Sequence, residues 1–525
     1  MTDVETGAAQ RKSLRIVLPG LMLAMLLAML DNMIIGTAMP RIVGELGGLA
    51  HLSWVVTAYI LATTVSTPIW GKLGDLYGRK SLFITSIVIF LVGSALSGAA
   101  QDMGQLIGFR ALQGLGAGGL MVGAFAIIGD LVPPRERGRY QGLMGGIMAL
   151  AMIAGPLVGG FITDHLSWRW AFYVNLPLGG LALLVIVATL HLPKYRTEHR
   201  IDWVGAALLS VGITSLVLIT TWGGTEYPWL SGQIVGLAAL AVVSIGVFLY
   251  VEQRVPEPIL PLKLFTNRNF ALVSGIGFLV GFSLFGAVSF LPLYQQTVQG
   301  ASATNSGLLL LPMMAGVLIV SIVIGRVITK TGKYRAFPLV GGIVLVSGMF
   351  LLSLLDRDTT KTMSALYMIV LGAGMGFLMQ TTLLIAQNSV EQRDLGVASS
   401  TATFVRSIGG SFGVSLFGAI FTSRLREDVA KIGPEAAARL DGSGGQLDPS
   451  TLVQLPAPIR EGFLNGIAHA MSSVFSWAIV LAVIVPVLAW FIQHVPLRGY
   501  DSAPAADADE AALAEAEAGV PLARS

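Results

Sequence analysis

Stretches of about 20 predominantly apolar residues follow one another along this 525-residue chain, separated by polar turns. A run of that length crosses about 30 Å of hydrocarbon as a helix, and backbone in lipid must satisfy its own hydrogen bonds. A chain made of many such runs therefore folds as a helical bundle in a membrane. Only 12% of its residues are charged, against about 25% in a soluble domain. The net charge of +3 is small and the cations sit in loops, so the basic balance reflects membrane topology and not a nucleic-acid surface. There are no cysteines, which excludes disulfides and thiol catalysis. The first run, preceded by Arg11, Lys12 and Arg15, is too long for a secretory signal and has no small-residue cleavage site, so it reads as a first span.

Fourteen spans are expected, near 15–38, 53–71, 81–100, 105–129, 140–163, 171–192, 203–222, 231–251, 270–294, 304–328, 336–355, 363–386, 398–421 and 472–493. Alternating the connections between two sides places 22 of the 33 Lys and Arg residues on one of them. The short loops of the other side hold only Arg41, Arg169, Arg357 and Lys361, while Arg110 and Arg406 fall inside spans. By the positive-inside rule the rich side is the cytoplasm, and both termini lie there.

The turn Gly71-Lys-Leu-Gly-Asp75-Leu-Tyr-Gly78-Arg79-Lys80 sits on that face between the second and third spans. Its Gly71, Asp75, Gly78 and Arg79 align with Gly325, Thr329, Gly332 and Lys333 after an offset of 254, and Gly116-Ala-Gly118 matches Gly372-Ala-Gly374 at 256. The chain is thus a parallel duplication of two six-span blocks. The expected organisation is an N-terminal bundle over 1–200, an inserted helix pair over 201–252, a C-terminal bundle over 253–497 with a long outer loop at 422–471, and a disordered cytoplasmic tail at 498–525. The segments 191–200 and 252–268 are linkers, and Glu435 to Leu440 in the outer loop has the makings of a short helix.

Asp31 lies about sixteen residues into the first span. A carboxylate at that depth is costly unless it faces a polar cavity, holds a partner or carries a proton. Because a low-dielectric surrounding favours the neutral carboxyl, Asp31 is the candidate proton carrier, with a structural ion pair as the alternative. Arg110 in the fourth span is always charged and needs an acceptor such as Asp31 or a carbonyl; it shares a helix face with Gln113, Gly114 and Ala117. In the fifth span, Gly155-Pro156-Leu-Val-Gly159-Gly160 reads as a hinge: proline removes a backbone hydrogen bond and the glycines permit close sliding. Gly114-x-Gly116-x-x-Gly119 and Gly409-x-Ser411-x-Gly413 imitate nucleotide and nucleophile motifs, but both lie inside apolar helices without the strand those motifs require, and read as packing faces. No P-loop and no HExxH is present, so neither ATP hydrolysis nor zinc peptidase chemistry is expected, and no enzyme activity.

Together, the 71–80 turn, the Asp31 to Pro40 stretch, the Arg110 to Gly118 stretch, the Gly155 to Gly160 stretch, Trp168-Arg-Trp-Ala-Phe-Tyr-Val-Asn175-x-Pro177 and Gly307-Leu-Leu-Leu-Leu-Pro312 resemble the fourteen-span drug:H+ antiporter group of the major facilitator superfamily, the EmrB/QacA type. The resemblance implies an all-α major facilitator fold of two six-helix bundles plus two inserted helices, working by alternating access in the cell membrane. It further implies export of amphipathic drugs in exchange for protons. Asp31 and Arg110 would couple the proton, the turn residues Gly71, Asp75, Gly78 and Arg79 would latch one conformation, and Gly155, Pro156, Gly159 and Gly160 would form the antiporter hinge. Asp75 is placed to meet the N-terminal end of the thirteenth span, near Ala398. With one deeply placed acid, neutral or singly charged substrates are expected, lodged among Met33, Gln113, Phe282, Phe285, Tyr294, Met313, Met314, Met379 and Gln380. No cofactor or metal is expected; the partners are the substrate, protons and the bilayer, and the protein is expected to act as a monomer. Transport of an endogenous metabolite on the same fold is the alternative.

Overall fold

A helix buried in lipid keeps every backbone hydrogen bond to itself, and the computed structural model is accordingly a bundle of helices. It describes residues 2–46, 52–132, 134–190, 202–223, 227–255, 258–301, 308–391, 394–434 and 456–497. The 191–200 linker, the proposed helix at 435–440, the 498–525 tail and the side chain of Pro156 lie outside the described residues.

The N-terminal bundle comprises α1 (Thr2–Leu46), α2 (Leu52–Tyr77), α3 (Arg79–Ala99), α4 (Met103–Leu131), α5 (Pro134–His165) and the pair α6 (Trp170–Tyr173) and α7 (Asn175–Thr189). The pair α8 (Trp203–Trp222) and α9 (Gly232–Glu252) follows. The C-terminal bundle contains α10 (Arg268–Thr297), α11 (Leu311–Thr331), α12 (Ala336–Ser353), α13 (Lys361–Asn388), α14 (Leu395–Ile432), α15 (Ala457–Ala482) and α16 (Ile484–Trp490).

Twelve helical segments among the described residues are long and apolar enough to cross a membrane, two fewer than the fourteen expected. The two that fall short are α2 and α5. They have the length, at 26 and 32 residues, but several of their side chains lie outside the described residues to which that count of twelve applies; α2 also carries a polar row of Thr57, Thr63, Thr64, Ser66 and Thr67. The polar row is inward business: Thr63 donates to the Gly114 carbonyl at 3.1 Å and Ser66 to that of Leu115 at 3.2 Å. Hydroxyls spent on a neighbouring helix cost little in lipid but lower the mean hydropathy.

Each bundle has its own apolar interior. That of the C-terminal bundle is continuous from Leu264 to Ile492, with Phe417 ringed by Phe282, Phe290 and Phe475 at 5.2, 6.2 and 6.0 Å. The N-terminal interior divides into two clusters, one around Phe83, Phe90 and Phe125 and one around Ile34, Trp168 and Phe172, and the polar group described below lies between them. The pair α8 and α9 packs on α2 and α14, where Leu209, Ile213 and Phe248 meet Val65 and Phe404, and Ser415 donates to the Thr220 carbonyl at 2.8 Å. The pair thus lies along the line where the two bundles meet.

One expected loop is partly helix. α14 continues from the 422 boundary to Ile432 and α15 starts at Ala457, because Leu425 and Val429 bury themselves in the C-terminal core with Phe463 while Arg424 and Lys431 pair with Glu427 and Asp428 on the outer surface. The glycines of the two imitation motifs are helix contacts, as read: Gly114 abuts the Tyr59 backbone and Gly409 that of Phe278.

Candidate functional site: a buried ion pair, an interbundle latch and a methionine-lined cleft

Asp31 and Arg110 are each wholly buried, and burial of two charges is tolerable only if they meet and spend their remaining hydrogen-bonding capacity. They do both. The Arg110 Nη1 donates to Asp31 Oδ2 at 2.5 Å and to Gln113 Oε1 at 2.8 Å, Nη2 donates to Asn32 at 3.3 Å and Nε to the Val55 carbonyl at 3.4 Å. Asp31 Oδ1 accepts from Gln113 Nε2 at 2.9 Å and from Asn175 Nδ2 at 2.8 Å. Asn175 is held in turn by Ser94 at 2.9 Å. The guanidinium lies 4.1 Å from the ring centre of Tyr59, whose hydroxyl donates to the Ala28 carbonyl at 3.0 Å. Helices α1, α2, α3, α4 and α7 all contribute. Asp31 therefore holds a partner rather than facing open water in this conformation.

Asn175, Ser94, Asn32 and Tyr59 had no role assigned from the sequence. Asn175 was part of the Trp168 to Pro177 stretch, and a lone amide in an apolar helix is itself a signal that a buried polar partner exists. Its Oδ1 has no partner among the described residues.

The second constellation joins the bundles. Gly78, at φ +94°, turns the chain between α2 and α3, a conformation side chains other than glycine rarely adopt. Asp75, on the last turn of α2, accepts from the backbone N–H groups of Gly396 at 3.1 Å and Val397 at 2.8 Å, the open first turn of α14. A carboxylate here caps unsatisfied amides and meets the positive end of the helix dipole. Arg79 braces it with Nε at 3.1 Å and Nη2 at 2.9 Å, and its Nη1 reaches Asp130 at 2.5 Å and the Ala126 carbonyl at 2.9 Å. Burial pushes the Asp75 carboxyl up to about 6, against the pull of Arg79 and the Val397 amide. Gly71 lets α2 and α14 close: a Cβ there would collide with Ser400. Asp130 was not foreseen as part of this group.

The α5 motif is one uninterrupted helix through position 156. Gly155 lies flush against Met33 of α1, Gly159 is buried, and a Cβ at Gly160 would meet nothing within 4 Å.

Between the bundles lies a cleft lined by Met25, Met29, Met121 and Met144 from the N-terminal side and Met379, Gln380 and Arg406 from the C-terminal side. Of the nine residues expected to hold substrate, Met379 and Gln380 are here. The others are elsewhere. Gln113 is spent on Asp31, and Met33 packs on Gly155. Phe282, Met313 and Met314 are interior to the C-terminal bundle. Tyr294 is also buried there, its hydroxyl donating to the Asp356 carbonyl at 2.6 Å. Phe285 lies over Gly410 and is 42% exposed. In a membrane helix both the lipid face and the bundle face are apolar, so side-chain type does not say which way a residue points.

Residues 21–414 match the family model described as Major Facilitator Superfamily. The chain belongs to the major facilitator superfamily. It is similar to two Bacillus subtilis (strain 168) members: Multidrug resistance protein 3, 39% identical over 492 residues covering 93% of this chain and 96% of the relative, and the multidrug transporter protein MdtP, 36% identical over 523 residues covering 95% and 96%. Among solved structures, the proton:xylose symporter XylE superposes with a TM-score of 0.59 at 13% identity, covering 92% of this chain and 97% of that one; this likeness is one of fold. The chain is therefore an all-helical, multi-pass membrane transporter of this superfamily and not an enzyme.

Proposed function

We propose that this transporter is a proton-coupled exporter of amphipathic drugs or related small molecules, of the fourteen-span antiporter type, with α2 and α5 crossing the membrane alongside the other twelve segments. Its place is the cell membrane with both termini in the cytoplasm, acting as a monomer and without a cofactor. The likeness to multidrug transporters supports drug efflux in general terms. The observation that carries the coupling is that Asp31, wholly buried against Arg110 of α4, sits on the same helix, α1, as Met25 and Met29 of the cleft.

The coupling follows from the cost of burying charge. A proton delivered to Asp31 cancels its charge and leaves Arg110 without its strongest acceptor; breaking a buried pair costs about 3–5 kcal/mol. The same conformation then ceases to be the preferred one, and α1 moves relative to α4 and α7, carrying Met25 and Met29 with it. Deprotonation restores the pair. The Asp75 latch holds the cytoplasmic ends of the bundles together in one state, and the Gly155 to Gly160 stretch, packed on Met33, is where α5 slides on α1. The drop of one proton across 100 mV supplies about 2.3 kcal/mol for the cycle.

Drug accumulation in cells with and without the intact protein tests this directly. Accumulation should fall when the protein is present, and an uncoupler should abolish the difference. Substrate moving inward with protons would favour the metabolite-uptake reading instead.

A further inference from the structure

The membrane interior of this protein holds two arginines with opposite circumstances. Arg110 has Asp31, Gln113 and Asn32. Arg406, in the middle of α14, has no hydrogen bond, ion pair or aromatic face among the described residues, and no charged side chain near enough to act on it. Its backbone is pinned, because its carbonyl lies flush against Gly281 of α10, so closely that a Cβ on Gly281 would collide with it, and its Cγ would lie 3.0 Å from the same point. The stem is thus fixed at a helix crossing, and Arg406 lines the cleft together with Met25, Met29 and Met144.

A guanidinium cannot shed its proton, and a charge kept in a low-dielectric cleft without a partner is costly. Because Asp31 and Arg110 cancel each other behind the wall, the cleft carries one uncompensated positive charge among the described residues. Resting on the reading of this cleft as the substrate site, we propose that its ligand is an amphipathic organic anion: an acidic group, carboxylate or sulfonate, seated on Arg406, with an apolar body among the methionines. This narrows the expectation of neutral or singly charged substrates and disfavours monocations. Flexible methionine side chains permit variation in the body, while the fork of Arg406 fixes the acidic end. The remaining polar cleft residues, Ser321 and Gln380, bring no charge of either sign.

The test uses two fluorophores sharing one skeleton, the anion 1-anilinonaphthalene-8-sulfonate and the neutral N-phenyl-1-naphthylamine, titrated against the purified full chain in phosphatidylcholine nanodiscs. Arg406→Gln should weaken the sulfonate by at least roughly 30-fold, the effect of removing one member of a desolvated charge pair, and leave the neutral probe within about two-fold. Arg406→Lys, which keeps the charge, should recover most of the sulfonate binding, and both variants should elute as the wild type does. Equal affinity of the sulfonate for wild type and Arg406→Gln overturns the proposal, as does an equal loss of both probes that Lys does not rescue. Adding phosphatidylglycerol or soluble naphthaleneacetate as competitor tells the two sources apart: either displacing the sulfonate supports an anion site, and which one does identifies lipid headgroup or soluble acid. Sulfonate binding that depends on Arg406 without uphill transport in proteoliposomes would sink the export reading and leave the anion site standing; uphill transport indifferent to Arg406 would do the reverse.

Discussion

The two turns related by the internal duplication do different work. In the N-terminal half, Asp75 leaves its own helix and caps the first turn of α14 across the interface. In the C-terminal half the equivalent position is Thr329, whose hydroxyl donates to the Gly325 carbonyl of its own helix at 2.8 Å. Both turns keep a left-handed glycine, Gly78 and Gly332, so the geometry of the turn has survived while the acid has been kept only once. The interiors differ in the same direction. The N-terminal half buries an ion pair between two apolar clusters, whereas the C-terminal half is one continuous apolar core whose single arginine inside the cleft has no partner among the described residues. A duplicated scaffold has thus been divided into a half that carries the charge chemistry and a half that supplies packing and one cationic contact.

The sharpest break of this asymmetry is at Arg110. Arg110→Met should destabilise the protein by about 3–5 kcal/mol, because it strands a buried carboxylate, and Asp31→Asn placed on top should recover part of the loss. A thermal unfolding series over the two single variants and the double reads the coupling; additive losses would show that the pair is not a unit.

The latch comes next. Asp75→Ala removes charge-assisted bonds each worth about 1.5–3 kcal/mol, enough to move the balance of conformations by roughly ten-fold or more. Since the chain has no cysteines, a single Ser400→Cys gives a clean reporter at a position 1% exposed in the latched form. Its maleimide labelling should accelerate at least several-fold when Asp75 is lost.

A smaller effect is expected from pH. Asp75 binds its proton more tightly when latched, at about 6, than in an open state where it is an ordinary carboxylate near 3.9. The latched form is therefore favoured as pH falls from 6 towards 4, and above 6 the balance is flat. Labelling at Ser400→Cys, taken relative to the same reporter on an Asp75→Asn background, should slow over that window; a ratio that does not change would remove the acid from the latch's proton response. The smallest change should come from Thr329→Asp, which restores an acid to the second turn at a position whose hydroxyl bonds its own helix. Transport is expected to stay within about two-fold, and a large gain would show that the second turn is a dormant latch.

Much of this was readable from residues whose chemistry leaves them few choices. An arginine and an aspartate inside spans have to find each other or something like each other, and an acid at the end of α2 has to meet positive charge, so the Asp31–Arg110 contact and the approach of Asp75 to the start of α14 followed from the cost of isolation. The group that completes them, Asn175, Ser94 and Asp130, was hidden because neutral amides and hydroxyls have many possible partners. The cleft was least legible. Met25, Met29, Met121 and Met144 sit in apolar helices where facing lipid and facing the other bundle require the same residue types, and only the packing decides between them.

The central claim is that Asp31 exchanges its proton for cargo. Proteoliposomes acid inside, preloaded with nothing and offered an amphipathic fluorophore outside, measure it most directly. With wild-type protein the fluorophore should accumulate against its gradient and drain when an uncoupler collapses the pH difference, while Asp31→Asn should only equilibrate. Undiminished uphill accumulation by Asp31→Asn, with the protein folded, would contradict the account.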